Sequence, residues 1–313
     1  MGVNFENTSK IEGFNIFEKI TTEDISAGGQ NNKLNLYILK IHNKLFSYDK
    51  LYEYILKNIC QYVFNRRKIL NEKEPYTLIL DAIDHLRAIN SSKDSGAGGE
   101  LGEILLYLFL EQDLKAPKLF SKVELKTNEM DYVKGADGIH YKFRTDGDGN
   151  KILQLVIGEA KIKNDLKEGI EEAFKSINTY LSINTQDARL LDTHLMNQLI
   201  EDDEAEILKK YLLGDNVEEK ETIFGIFIGY SIDYNGAADN NDNYKKNVKA
   251  ENLKQVLQYK NKILNEIKKY NISNYEFNFY FLPFHNAFRD RKVIIDQLTQ
   301  KKSKFAWGEI RNG

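Results

Sequence analysis

The sequence predicts an α/β protein: a mixed central sheet flanked by helices, with a helical N-terminal elaboration. Three observations predict it. From residue 100 the apolar spacing switches between the 3.6-residue period of helices and the two-residue period of strands, in the order helix, strand, hairpin, helix, strand, helix, strand. The segment "DGDGN" (146–150) separates two strand-like runs and is built from residues that tolerate positive φ, as hairpin turns require. The composition, 42% hydrophobic and 29% charged over 313 residues, is that of a folded globular chain with enough apolar residues for a sizeable core.

Taken in order, "LNLYILKIHN" (34–43) reads as a strand. Residues 47–68 have apolar side chains at helical spacing behind a capping Ser47, and 76–90 form a second helix. "SSKDSGAGG" (91–99) is a loop that feeds the strongly apolar helix 100–114, which must be buried. A strand at 119–126 follows. The runs 138–145 and 151–161 flank the Asp-Gly turn and form an antiparallel hairpin. An amphipathic helix covers 166–182, and a longer helical region 187–213. Then come a buried-type strand (222–232), a loop (233–247), a helix (250–270), an alternating strand (275–284) and a closing helix (291–304). No linker separates the N-terminal part. Residues 1–95 are expected to pack as an elaboration of one body, and 96–313 to form the main core.

The 44 Lys and Arg against 47 Asp and Glu leave a formal charge of −3. Any nucleic-acid contact would therefore be local or supplied by a partner, because an unaided binder is usually basic. Cys60 is the single cysteine, so no intrachain disulfide forms, and it reads as a small core residue. There is no signal-peptide pattern and no apolar run of the ~20 residues needed to span a bilayer. The chain is expected to be cytoplasmic, with no membrane partner. A phosphate loop ending in GK[ST] is absent, so the chain is not itself an ATP-driven motor.

Chemistry concentrates in three places. The buried helix opens with Glu100 and Glu103, one turn apart and able to share a face. Asp137 precedes the first hairpin strand, and the second ends in Glu159-Ala160-Lys161. A hairpin turning at 146–150 sets Asp137 opposite Glu159, and Lys161 shares the Glu159 face. Two close carboxylates repel unless a proton or cation separates them. Mg2+ suits such a pair, being a hard ion held by carboxylates, waters and phosphate oxygens. Lys161 would orient or deprotonate water, or neutralise charge on phosphorus. Such chemistry would be metal-assisted phosphodiester hydrolysis. The alternative is a solvated ion pair worth ~0–1 kcal/mol.

This arrangement resembles the PD-(D/E)xK nuclease superfamily, with Ala136 where a Pro usually precedes the Asp. The ordered blocks "GELGE", "KGADGIH" and "GEAK", within 99–177 and more loosely to 279–284, are similar to the HamA family, effectors of the bacterial Hachiman anti-phage system. The resemblance implies a restriction-endonuclease-like core and a DNase using Mg2+ or Mn2+. It implies Asp137 and Glu159 as metal ligands, Lys161 as the catalytic lysine, and Glu103 or Glu100 as the helix acid, with Glu103 favoured. It also implies a superfamily 2 helicase partner, HamB-like, that holds the nuclease in check until it meets aberrant DNA. The rival expectation is a catalytically idle adaptor or inhibitor subunit of a helicase complex.

The remaining candidates have plainer explanations. "DGDGN" lacks the distant bidentate Glu of a calcium loop and is a turn. His140, just after Asp137, is expected to share its strand face, where it could contact substrate but reads first as a satisfied core or edge histidine. His42, His85, His194 and His285 have no ligand spacing. Lys134 and Lys163 read as solvated lysines near the motif, Asp165 as a helix cap, and the basic clusters at 289–292 and 244–249 as surface.

Overall fold

The computed structural model describes residues 7–72, 74–91, 99–121, 123, 135–183 and 220–299. The described strands are β1 (Phe17–Ala27), β2 (Gln30–Leu39), β3 (Ile41–His42), β4 (Leu45–Phe46), β5 (Lys118–Ser121), β6 (Gly138–Thr145), β7 (Lys151–Lys163), β8 (Lys220–Ser231) and β9 (Glu276–Phe284). The described helices are α1 (Tyr48–Val63), α2 (Arg66–Asn71), α3 (Pro75–Ser91), α4 (Gly99–Gln112), α5 (Leu166–Ile183), α6 (Asn241–Leu257), α7 (Lys260–Lys269) and α8 (Ala287–Leu298). The expected helical region 187–213 and most of the loop 91–99 lie outside the described residues.

Seven strands make one mixed sheet in the order β1-β2-β9-β8-β7-β6-β5. β2, β9, β8 and β7 run parallel to one another, while β1 on one edge and β6 and β5 on the other pair antiparallel. The central strands are buried on both faces, which is why "IFGIFIGY" and "FNFYFLPF" read as near-continuous apolar runs. Alternation along β7 sends Val156 and Ile162 to the core shared with α1, α4 and α8. It sends Leu153, Leu155 and Ile157 to the core shared with α5 and α7.

Helix α4 is buried from Glu100 to Gln112, as its all-round apolar sequence requires. It lies unusually close to the sheet. Gly102 faces Ala160 and Ile162, Leu106 faces Gly158, and Leu110 faces Gly225. A ridge at i, i+4, i+8 thus rests on small residues of β7 and β8. A methyl group on Gly158 would stand 2.8 Å from Leu106 Cδ2 and 3.1 Å from the Gly138 carbonyl. Full burial of a leucine such as Leu106 contributes about 1.5–3 kcal/mol.

Several boundaries differ from the sequence expectation. β1 was not anticipated: "FEKITTEDISA" is a largely exposed edge strand with little apolar signal, and it exists because β2 pairs with it across a Gly28-Gly29 turn at positive φ. The helix expected over 47–68 breaks after Val63 and restarts at Arg66, where the Asn65 side chain accepts from the Lys68 N–H. The expected loop 233–247 is already helical from residue 241, capped by Asn240 accepting from the Asn243 N–H. The helix expected over 250–270 breaks between Leu257 and Lys260. The closing helix starts four residues early, at Ala287, behind an Asn286 cap. No described helix is long and apolar enough to cross a membrane.

Candidate active site

The β6–β7 hairpin sets the frame. Its turn closes on Asp146, whose Oδ1 accepts from the Asp148 and Asn150 N–H groups at 3.0 and 2.8 Å, with Gly149 at φ +88°. The register runs from Thr145↔Lys151 to Gly138↔Gly158. One step further, the Asp137 N–H donates to the Gly158 carbonyl at 2.8 Å. Asp137 therefore stands opposite Glu159, as the turn position predicts. The Asp137 side chain folds onto the partner strand, where its Oδ2 accepts from the Ala160 N–H at 2.8 Å.

Glu159 lies on a strand that is hydrogen-bonded on both sides, in register with Ile226 of β8, and is 3% exposed. A carboxylate there needs a cation, because desolvation of an unpaired charge costs several kcal/mol. Lys161, two residues on and on the same face, forms an ion pair with Glu159 Oε1. Its side chain keeps 21% exposure, so the ammonium stands at the mouth of the site while the carboxylate lies beneath. β7 continues past the motif to Lys163 before the chain turns into α5.

The helix acids come from the other side of β7. Gly102, between Glu100 and Glu103, rests on Ala160 and Ile162, whose side chains alternate with Glu159 and Lys161. Glu100 and Glu103 are both buried, Glu100 in the first turn of α4, where negative charge is favoured by the helix dipole, and Glu103 in the next. The structure separates their surroundings. Glu103 Oε2 accepts from the Tyr62 hydroxyl at 3.2 Å. Glu100 sits in the field of Arg291 of α8, whose Nη1 donates to the Ile162 carbonyl at 2.8 Å. Burial lowers the Arg291 pKa and the Glu100 charge opposes that shift.

Tyr62 is the neighbour of the candidate site that the sequence did not reveal. It lies in the apolar stripe of α1 and looks like core. The residue is 1% exposed, and burial first, then the charge and hydrogen bond of Glu103 and the charges of Asp137 and Glu100, hold its pKa far above the usual phenol value. It is a neutral donor among carboxylates. Arg291 was equally hidden, in a basic cluster that reads as surface.

His140 is the satisfied core histidine expected, but not on the expected face. It is three residues from Asp137 and so faces the opposite side of β6, toward α4. Its Nδ1 donates to the Ala116 carbonyl at 2.8 Å and its ring lies 6.1 Å from that of Tyr107. Burial lowers its pKa to about 4. Lys163 is bound to Glu168 and Glu172 at 3.0 and 2.7 Å, and Asp165 caps α5 by accepting from the Glu168 N–H at 2.8 Å. Burial raises the Cys60 pKa, away from thiolate reactivity. Lys134 and His194 lie outside the described residues.

The cluster's donor set has the chemistry of a hard-cation site. Glu100, Glu103, Asp137 and Glu159 are four buried carboxylates, and the described cations beside them are Lys161 and Arg291. All the donors are oxygens, the ligand type that a hard divalent ion takes. Among the described residues, no group of three or more His, Cys, Asp or Glu side chains is arranged to hold a metal ion. Asp137 is turned to the Ala160 N–H, Glu159 to Lys161 and Glu103 to Tyr62.

A model of the HamA family matches residues 15–298 of the chain. Among curated proteins none matches.

Proposed function

The chain belongs to the HamA family, the source of one component of the Hachiman antiviral defence system, and from that premise we propose that it is a metal-dependent DNA nuclease with a restriction-endonuclease-like core. One observation carries the reading: Asp137 is clamped opposite Glu159 across the β6–β7 pair, with Lys161 ion-paired beside it at the partly open end. The succession α4, β5, β6, β7, α5, β8, with β5–β7 antiparallel and β8 parallel to β7, supports the core assignment.

In this reading Asp137, Glu159 and Glu103 would hold Mg2+ or Mn2+, and Glu100 would lend negative charge behind them. A bound dication would supply Lewis-acid polarisation of a phosphate oxygen and a more acidic water. Lys161 does the proton and charge work of the chain itself. Its ammonium, beside Glu159 and partly exposed, would stabilise negative charge developing on the phosphate. The Ala160 N–H fixes the orientation of the Asp137 carboxylate through Oδ2. The chain's net charge of −3 fits a nuclease to which a partner delivers DNA. We assign that delivery, and restraint before activation, to a HamB-like superfamily 2 helicase.

The deciding experiment is the double variant Glu159→Ala, Lys161→Ala. Loss of plasmid cleavage with retained folding and retained helicase binding is the expected result. Full cleavage by that variant would sink the proposal. A second reading, an idle adaptor or inhibitor subunit, draws on the closure of each carboxylate onto a protein partner. Incubating supercoiled plasmid with the protein and its helicase, with Mg2+ and with EDTA, separates the two.

A further inference from the structure

Tyr62 is held in place by a second buried group. It is the penultimate residue of α1, where the last carbonyls have no helical partner. Lys118, the first residue of β5, is 5% exposed and sends its ammonium to these carbonyls: Nζ donates to Tyr62 O at 3.3 Å and to Phe64 O at 2.8 Å. The cation also complements the negative end of the α1 dipole. The Lys118 backbone N–H is in turn fixed by the fully buried Glu111 of α4, at 2.8 Å. A closed path thus runs from α4 through Glu111 and Lys118 to the end of α1, and from the Tyr62 hydroxyl back to Glu103 at the start of α4. α1 contributes to the carboxylate cluster although it lies outside the α4–β8 succession.

We propose that Tyr62 is a positioning residue for Glu103: its hydroxyl fixes the orientation in which that carboxylate would meet a divalent cation, and Lys118 keeps the tyrosine at that point. The inference rests on the reading of the cluster as a cation site. Hydrogen bonds to ligating carboxylates orient them, and losing such a partner commonly costs about 10–100-fold in metal affinity. A phenol suits this place better than a charged donor, because it neither repels an incoming cation nor competes with it.

The test is Mn2+ binding to the full chain, followed by electron paramagnetic resonance, for wild type, Tyr62→Phe, Glu103→Gln and the double variant, with melting curves to verify folding. Tyr62→Phe is expected to weaken Mn2+ binding about 10-fold, and the double variant to bind no more weakly than Glu103→Gln. In plasmid cleavage the same change raises the Mg2+ concentration for half-maximal rate and leaves the rate at saturating Mg2+ within about two-fold. Lys118→Met is expected to weaken Mn2+ binding in the same direction; if it does not fold, Tyr62→Phe decides alone. Wild-type affinity in Tyr62→Phe, or effects that add in the double variant, would overturn this inference while leaving the nuclease proposal standing. A wild-type protein that binds no Mn2+ at millimolar concentration would overturn both.

Discussion

Asp137 and Ala160 are joined across the β6–β7 hairpin: the aspartate Oδ2 accepts the alanine backbone N–H at 2.8 Å. The acid of one strand is thereby fixed to the peptide that lies between Glu159 and Lys161 on the other. Asp137→Asn keeps an oxygen for that N–H but removes the charge. The expected outcome is an unchanged melting temperature within a few degrees and a loss of DNA cleavage of about 100-fold or more, as for removal of a charge-stabilising group. Cleavage at wild-type rate would remove Asp137 from the chemistry.

The two helix acids are expected to separate. Glu103 bonds to Tyr62, which also feels Asp137, whereas Glu100 answers to Arg291. Glu103→Gln should lower cleavage about 100-fold, and Glu100→Gln less than about 10-fold. Single-turnover rates at saturating Mg2+ decide between them, and the reverse ranking would assign the role to Glu100.

Stability should fall in acid through His140. Its folded pKa is depressed to about 4 by burial, against 6.5 when free. Between those values the unfolded chain binds the proton and the folded chain does not. The stabilisation is therefore complete above about pH 6.5 and is lost as the pH falls toward 4, with a cost on the order of 3 kcal/mol at the lower end. His140→Asn keeps a donor for the Ala116 carbonyl without titrating. The drop in melting temperature between pH 7 and pH 4.5 is expected to be smaller in that variant than in wild type. Equal drops would show that His140 does not report on this window.

Gly158→Ala tests the contact between α4 and the sheet. The added methyl meets Leu106 Cδ2 and the Gly138 carbonyl, and the backbone neighbour has little room to yield. Overpacking of this kind costs about 1–3 kcal/mol, measurable as a lower urea midpoint. Gly147→Ala, in the turn with nothing within 4 Å of the new atom, is the control and should be nearly neutral.

The hairpin was the most legible part of the sequence. "DGDGN" marked its turn, and two-residue alternation then put Asp137 opposite Glu159, because antiparallel register follows from turn position alone. Helix α4 was legible for a similar reason, since an apolar pattern on all sides leaves no exposed face. β1 was not, because an edge strand needs only one partner and little burial. The start of α6 was hidden by its Asn- and Asp-rich sequence, in which the same residues serve as caps and as turns.

By itself the sequence determined which chemical groups this chain carries and how those on one hairpin line up, since these depend on covalent order and local geometry. Only the tertiary structure decided which distant groups join them. Tyr62 reaches Glu103 across 41 residues, and Arg291 reaches the Ile162 carbonyl across 129. Neither contact has a local signature. Each arises where whole helices settle against the sheet, and their positions follow from burial over many side chains, as in the seating of Gly102, Leu106 and Leu110 on β7 and β8.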